Sequence, residues 1–512
     1  MADVRPFVCC RPQADLAAEV AALPYDVFSR AEAEAEITRH PHSFLRVDKS
    51  CALLPPAVGE YDAQVYQEAA ECFDADLAAG LYCTDAQQHY YVYRLVKDGR
   101  AQIGVIARVA TDDYMNGVVR RHENTRELKL IDRIQHIEAL DAQTSPVFLA
   151  YRADAGIDAV VAQVMATGTP LYDFVTDDGV RHTVWRVENG AADASDDTAR
   201  GTAAADVATA AATDAANGTA RGTADAAVNA DATVNATAAL QAAFAALPAL
   251  YIADGHHRAA AAAEISLKRR AGAGADVGSG TGVGAGVGAE QGHPAPQPEL
   301  LPESQSASPP APRPAPRPQP KPQPEQRPAD YFLAILFPSN QLSILDYNRV
   351  VFDLNGRTPM EFLEALAPAW ELTAVAAAEA PWRPRQRHEF GMYLAGQWYQ
   401  LRLGPELLSG LDETDPVASL DVSILQHQLI APLLGIDDPR TSERIAYVGG
   451  VRGLAELERR VEALEQPGVA FALYPTTIDE LFAVADAGKL MPPKSTWFEP
   501  KPRSGLFIHQ LS

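Results

Sequence analysis

Residues 239–270 form a stretch of ordinary composition wedged between two low-complexity tracts, and that arrangement constrains the fold more than any single motif. A piece so short buries too little surface to fold by itself. It therefore packs on the segments to either side, 1–188 and 330–512, and both tracts become surface insertions within one folded unit. Such insertions are tolerated because the entropy of closing a loop grows only logarithmically with its length.

The first tract, 189–238, is rich in Ala, Thr and Asp, as in Ala203-Ala204-Ala205-Asp206-Val207-Ala208. It offers too little bulky apolar surface to pack and is expected to be disordered, with transient helix at most. The second, 271–329, opens on Gly/Ala/Val repeats (Gly282-Val283-Gly284-Ala285-Gly286) and ends in Pro312-Arg313-Pro314-Ala315-Pro316. Flexible coil followed by stiff polyproline II is expected there. A plain linker and a tract that docks on an aromatic groove are both compatible with it.

Of the 512 residues, 47% are hydrophobic, enough for a sizeable core. The formal net charge of −24 disfavours a nucleic-acid partner, because long-range repulsion would oppose it. No apolar run approaches the roughly 18 residues of a membrane span, and the start, Met1 to Phe7, lacks the pattern of a secretory signal. A cytoplasmic protein is expected. The five cysteines, Cys9, Cys10, Cys51, Cys72 and Cys83, include no pair at redox or zinc spacing and read as reduced thiols.

Tyr90–Leu95 and Ile103–Val109 are β-branched and aromatic, and Lys97-Asp98-Gly99-Arg100 supplies a turn, which predicts a hairpin. From Thr125 to Leu140 the apolar residues Leu128, Ile131, Ile134 and Ile137 recur at three-residue steps, predicting a helix buried along that stripe. Tyr331–Phe337 and Ala470–Tyr474 read as strands, Ser423–Ile430 and Val451–Glu465 as helices. The class is α/β, with mixed α+β character.

The chemistry concentrates at Asp254-Gly255-His256-His257-Arg258. Ala249–Ala253 reads as a buried strand, Asp254-Gly255 as a tight turn, and His257–Arg270 as an alanine-rich helix. The open amides and positive end of a helix favour an anion at such a junction. Gly255 allows close backbone approach, and the fork of Arg258 suits phosphate oxygens. The alternative is that Asp254 only caps the helix and the histidines lie on the surface.

A second cluster, Arg120-Arg121-His122-Glu123-Asn124-Thr125, mixes cations, a histidine and a carboxylate, a combination useful for general-base chemistry beside a phosphate. Equally, Thr125 could cap a helix beside a solvated basic face. Arg126 stands where a zinc protease would need its second histidine, which excludes that class. Near the C-terminus, Pro493-Lys494-Ser495-Thr496 lacks the glycines of a P-loop. A loop that brings Lys494 near a phosphate and a packed terminal strand both remain open.

Seven stretches together resemble the bacterial and archaeal domain-of-unknown-function family 1015. They are Arg5-Pro6-Phe7, Leu23-Pro24-Tyr25-Asp26-Val27, His42-Ser43-Phe44-Leu45, Arg121–Thr125, Asp254–Arg258, Asp346-Tyr347-Asn348-Arg349-Val350-Val351 and Pro492-Pro493-Lys494-Ser495-Thr496. Asp254–Arg258 is also similar to the Asp-Gly-His-Thr-Arg element of free-serine kinases in the ParB/sulfiredoxin-like fold, with His257 in place of the threonine. The resemblance implies a ParB/sulfiredoxin-like nucleotide-binding core, made of 1–188 and 239–270, followed by a mixed α/β region over 330–512.

It further implies ATP or ADP with Mg2+ as cofactors, and phosphoryl transfer to a small hydroxylated metabolite such as serine. On that reading Asp254, Gly255, Arg258, Arg120, Arg121, His122 and Lys494 bind phosphate or nucleotide. His256 or His257 contacts the transferred group, and Glu123 is the base. A metal-ligand set and an oligomeric state do not follow from the sequence. The rival is a non-catalytic nucleotide sensor, which has no need of Glu123; DNA binding ranks third.

Overall fold

The computed structural model describes residues 1–188, 235–276 and 327–512. The disorder expected for 189–238 and 271–329, and the proline-rich run, lie outside these residues except at the tract edges. There the boundaries shift. A helix spans Ala236–Ala246, capped by Asn235, whose side chain accepts from the Ala238 amide at 3.1 Å, and the helix expected to end at Arg270 runs from His256 to Asp276. Alanine is both low in complexity and the best helix former, so composition alone blurs these ends.

The molecule is mixed α and β, built on two large sheets. The strands of the first, in chain order, are β1 (Val4–Arg5), β2 (Tyr91–Lys97), β3 (Arg100–Ala110), β4 (Val119–Arg120), β5 (Val147–Tyr151), β6 (Tyr172–Val175), β7 (Arg181–Arg186), β8 (Leu250–Asp254) and β9 (Tyr331–Pro338). Their spatial order is β4-β8-β5-β9-β3-β2-β7-β6, with β1 on β3. The β2–β3 turn is as predicted: Asp98 and Gly99 both take positive φ, as a tight hairpin requires.

β8, from the segment between the tracts, lies between β4 and β5, and β9, the first strand after the second tract, lies between β5 and β3. All eight residues of β9 are buried, because its two faces serve two cores. Leu333, Ile335 and Phe337 belong to the core between the sheets, and Phe332, Ala334 and Leu336 to the core on the opposite face. Gly104 on β3 leaves room for Phe337, since a Cβ there would lie 2.7 Å from its ring.

The second sheet is antiparallel and comprises β10 (Tyr347–Val351), β11 (Trp370–Ala374), β12 (Glu389–Leu394), β13 (Gln397–Leu403), β14 (Ile445–Gly449) and β15 (Val469–Leu473), ordered β11-β13-β12-β15-β10-β14. Val351, Phe390 and Phe471 from this sheet share the central core with Phe148 and Tyr251 from the first. The stretch from Met491 is mainly loop. It bridges the sheets: the Met491 amide donates to the His122 carbonyl at 2.8 Å, and Trp497–Phe498 pairs with Ile344–Leu345.

The helix expected over Thr125–Leu140 spans Glu127–Leu140, but not with the expected face inward. Leu128 and Ile131 are 69% and 43% exposed, whereas Asp132, Arg133 and His136 are buried beside Ile137. Those polar groups are satisfied. Tyr66 donates to Asp132 at 3.1 Å, Arg133 stacks on Tyr25 at 3.8 Å, and His136 Nε2 lies 3.1 Å from the Val47 carbonyl. Among the described residues no helix is long and apolar enough to cross a membrane.

Candidate functional site

β4 and β8 run parallel, with Arg120 opposite Tyr251, so the residues that follow each strand emerge side by side. The carboxyl ends of parallel strands are where α/β sheets commonly place ligands. Two clusters far apart in the chain meet here. The rings of His122 and His256 stand edge to face with centroids 4.6 Å apart, and the Arg126 amide donates to His257 Nε2 at 3.0 Å.

Asp254 ends β8. Its Oδ1 accepts from the Gly255 amide at 2.9 Å, and its Oδ2 lies 3.0 Å from Lys501 Nζ and 3.5 Å from Arg258 Nη2. Burial opposes its charge, yet Lys501 and Arg258 hold the carboxyl well below the usual range. Gly255 takes a φ of +94°, and the space beside its Cα is filled by Arg258, whose Nε and Nη2 would lie 2.9 Å from a Cβ. The close approach that glycine permits is thus taken by the protein's own guanidinium. The other end of the Arg258 fork donates to Ser145 Oγ at 2.7 Å and to the Pro146 carbonyl.

His256 is 5% exposed, and its Nε2 has no partner among the described residues. Burial first, and then His122, pushes its pKa far down. His122 is buried too, with Nε2 3.4 Å from Thr496 Oγ1, and burial lowers it to about 4. His257 is likewise lowered to about 4, chiefly by burial, which fits a neutral ring accepting the Arg126 amide at the head of the helix. All three are therefore neutral near pH 7.

Glu123 is partly buried, within electrostatic reach of Lys494, Asp254, Arg126 and Asp26. Burial raises its pKa, Asp254 and Asp26 add to the rise, and Lys494 and Arg126 oppose it. Lys494 sits in a left-handed turn with φ +58°, its Nζ 5.6 Å above the Tyr347 ring. Burial works against its charge, but Tyr347, Glu123 and Asp26 outweigh that and raise it. Of the two arginines in the second cluster, exposed Arg121 lies near enough to act on His256. Arg120 is engaged elsewhere, paired with Asp486, which also binds Arg152 and the Tyr251 hydroxyl.

Three participants were missed in the sequence. Lys501 is 8% exposed and makes the principal ion pair of Asp254; only its place in the same loop as Lys494 hinted at this. Asp26 bears on His257, Lys494, Lys501 and Glu123, and Tyr25 lies under Arg133. Both belong to the Leu23–Val27 stretch, which offered a resemblance but no chemistry.

Residues 4–282 and 313–423 match the family described as Protein of unknown function (DUF1015). The chain belongs to the DUF1015 family. No curated protein matches this DUF1015 chain. Among solved structures it is similar to C-terminally truncated SbnI from Staphylococcus aureus, at 10% identity over 78% of this chain and 85% of that one, with a TM-score of 0.31. A free serine kinase in complex with AMP shares 11% identity over 77% and 86%, with a TM-score of 0.28. A conserved hypothetical protein from Pyrococcus furiosus shares 11% over 78% and 93%, with a TM-score of 0.27. Superpositions that loose carry no argument about the activity of a DUF1015 protein.

Proposed function

We propose that this protein transfers a phosphoryl group from ATP or ADP to a small hydroxylated metabolite, with free serine as one candidate. The observation that carries the reading is Glu123: a carboxylate whose pKa is raised by burial, within electrostatic reach of Lys494 and Asp254, and next in the chain to His122, whose ring meets that of His256 at the helix start. A partly buried carboxylate of that kind is a stronger base than a solvated one.

The first-turn amides of the helix from His256 lack acceptors within the helix and, with Lys494, would hold the transferring phosphate. Glu123 takes the proton as the acceptor's O–H bond breaks. The acceptor oxygen then forms the new P–O bond, and the nucleotide leaves with the electron pair of the old one. Neutral His256 or His257 would contact the transferred group, with His122 behind His256. Arg258, tied to Ser145, Pro146 and Asp254, would set the shape of the loop and add charge beside it. Arg121 would add a further positive field.

Magnesium is implied only by the kinase resemblance. Among the described residues no group of three or more His, Cys, Asp or Glu could hold a metal, and Asp254 already serves Gly255 and Lys501. The protein groups do not form a magnesium cage, and the ion would enter with the nucleotide's phosphates.

Incubation with ATP or ADP, magnesium, and a panel of hydroxylated metabolites including serine, followed by mass analysis, tests the reading. A phosphorylated product supports it. Nucleotide binding without any product would favour the sensor instead.

A further inference from the structure

The stretch Asp346-Tyr347-Asn348-Arg349 has no role in the transfer just described. Alternation along β10 sends its side chains to two faces. Asp346 and Asn348 serve one: Asn348 donates to Asp346 at 2.5 Å and accepts from the Leu473 amide at 3.0 Å, while Arg383 Nη1 lies 2.7 Å from Asp346 Oδ1. Tyr347 and Arg349 take the other face together with Val351, which lines the core between the sheets.

Arg349 is 4% exposed. Its guanidinium donates to the carbonyls of Tyr347 and Pro493 and lies 5.1 Å from the ring centre of Tyr447, its cross-strand neighbour. Among the described residues it has no carboxylate partner. Burial lowers its pKa to about 10, as expected of a cation whose surroundings do not neutralise it. A buried charge of this kind is destabilising until an anion arrives.

A second cation lies close by. Lys494, next to the Pro493 carbonyl that Arg349 contacts, lies over Tyr347 and also acts on Glu123. Arg126 and Lys494 both act on Tyr447, and Asp438 acts on it with the opposite sign. Arg349 therefore lies against Tyr447 and Lys494 against Tyr347, two cations from separate elements. Glu123 is within electrostatic reach of both Lys494 and Asp254.

We propose that Arg349, with Lys494, forms an oxyanion subsite for the acceptor, so that the hydroxylated metabolite carries a carboxylate or a phosphate. This rests on the phosphotransfer reading and narrows its substrate class to hydroxy acids and phosphate esters. A planar fork flanked by a second cation is suited to either group.

The test is thermal unfolding of the full chain and of Arg349→Met at constant ionic strength, with sodium glycerate, inorganic phosphate, uncharged glycerol or ATP as probe. In the wild type, glycerate or phosphate raises the midpoint above a chloride control and glycerol does not; which of the two acts shows whether a carboxylate or a phosphate is taken. Arg349→Met loses that rise but keeps the rise from ATP. If Arg349→Met does not fold, Arg349→Lys replaces it, expected to weaken the anion effect at least tenfold in apparent affinity. An undiminished anion effect in these variants, or none in the wild type, overturns the subsite. An Arg349-dependent anion effect without any response to ATP keeps the subsite and removes the nucleotide reading.

Discussion

His256 meets His122 edge to face, 4.6 Å between ring centres, and the contact joins the Asp254–Arg258 turn to the cluster around Glu123. Had those stretches faced different clefts, a base near the helix start would have had no structural basis. Because they meet, the proposed roles can be separated one residue at a time.

Glu123→Gln keeps the shape of the side chain and removes its basicity. Turnover should fall by about 10²–10⁴-fold, the usual worth of a general base, with nucleotide affinity changed by no more than about twofold. Steady-state kinetics beside calorimetric titration of ATP would show the split; retained turnover would take the base assignment away from Glu123.

Lys501→Met leaves Asp254 charged without its main partner. Stability should drop by ~3 kcal/mol, near the lower end for a buried pair, because the Asp254 side chain keeps 25% exposure. Adding Asp254→Asn should recover part of the loss, which denaturant titration of the single and double variants would measure. The pH dependence has two sides. The depressed pKa of Asp254 gives stability that is present above its unfolded value and lost as pH falls; the raised pKa of Lys501 gives stability that is lost as pH rises through it.

His122 has a folded pKa of about 4, below its unfolded value of about 6.5. Below that unfolded value the denatured chain binds the proton and the native one does not, so stability must fall as pH drops from about 6.5 towards 4. The loss is on the order of 3 kcal/mol over that window. Urea titrations across it should slope downward in the wild type and less steeply in His122→Gln, and parallel slopes would count against the buried neutral ring.

Gly255→Ala puts a methyl group where Arg258 lies and strains a φ of +94°. A destabilisation of about 1–3 kcal/mol is expected from the backbone alone, with weaker nucleotide binding as Arg258 is displaced from Ser145. A variant of wild-type stability and affinity would show that the turn does not depend on that packing.

Arg120→Ala breaks the pair with Asp486 and should leave nucleotide affinity and turnover within about twofold of wild type, since partly exposed pairs contribute little. A large loss of turnover would return Arg120 to the site.

Features that depend on a few neighbouring residues were legible in the chain itself. Asp98-Gly99 dictates its hairpin turn, the Asp254-Gly255 junction its strand-to-helix transition, and the alanines after Arg258 a helix start packed against its surroundings. The spacing of Leu128, Ile131, Ile134 and Ile137 located a helix but misjudged its inner face. Asp132, Arg133 and His136 find partners in Tyr66, Tyr25 and Val47, which belong to distant parts of the chain.

Tertiary structure alone decided which charges are spent and which remain available. Arg258 and Arg120 look alike in sequence as phosphate ligands, yet one is held by Ser145 and Pro146 and the other by Asp486. Lys501 drew no attention and makes the main ion pair of Asp254, while Arg349 is buried against the Tyr347 and Pro493 carbonyls and the Tyr447 ring, with no carboxylate partner among the described residues. Residue type sets what a group can do. Whether it is free to do so depends on burial and on partners that folding brings from far along the chain, because electrostatic interactions strengthen as water is excluded.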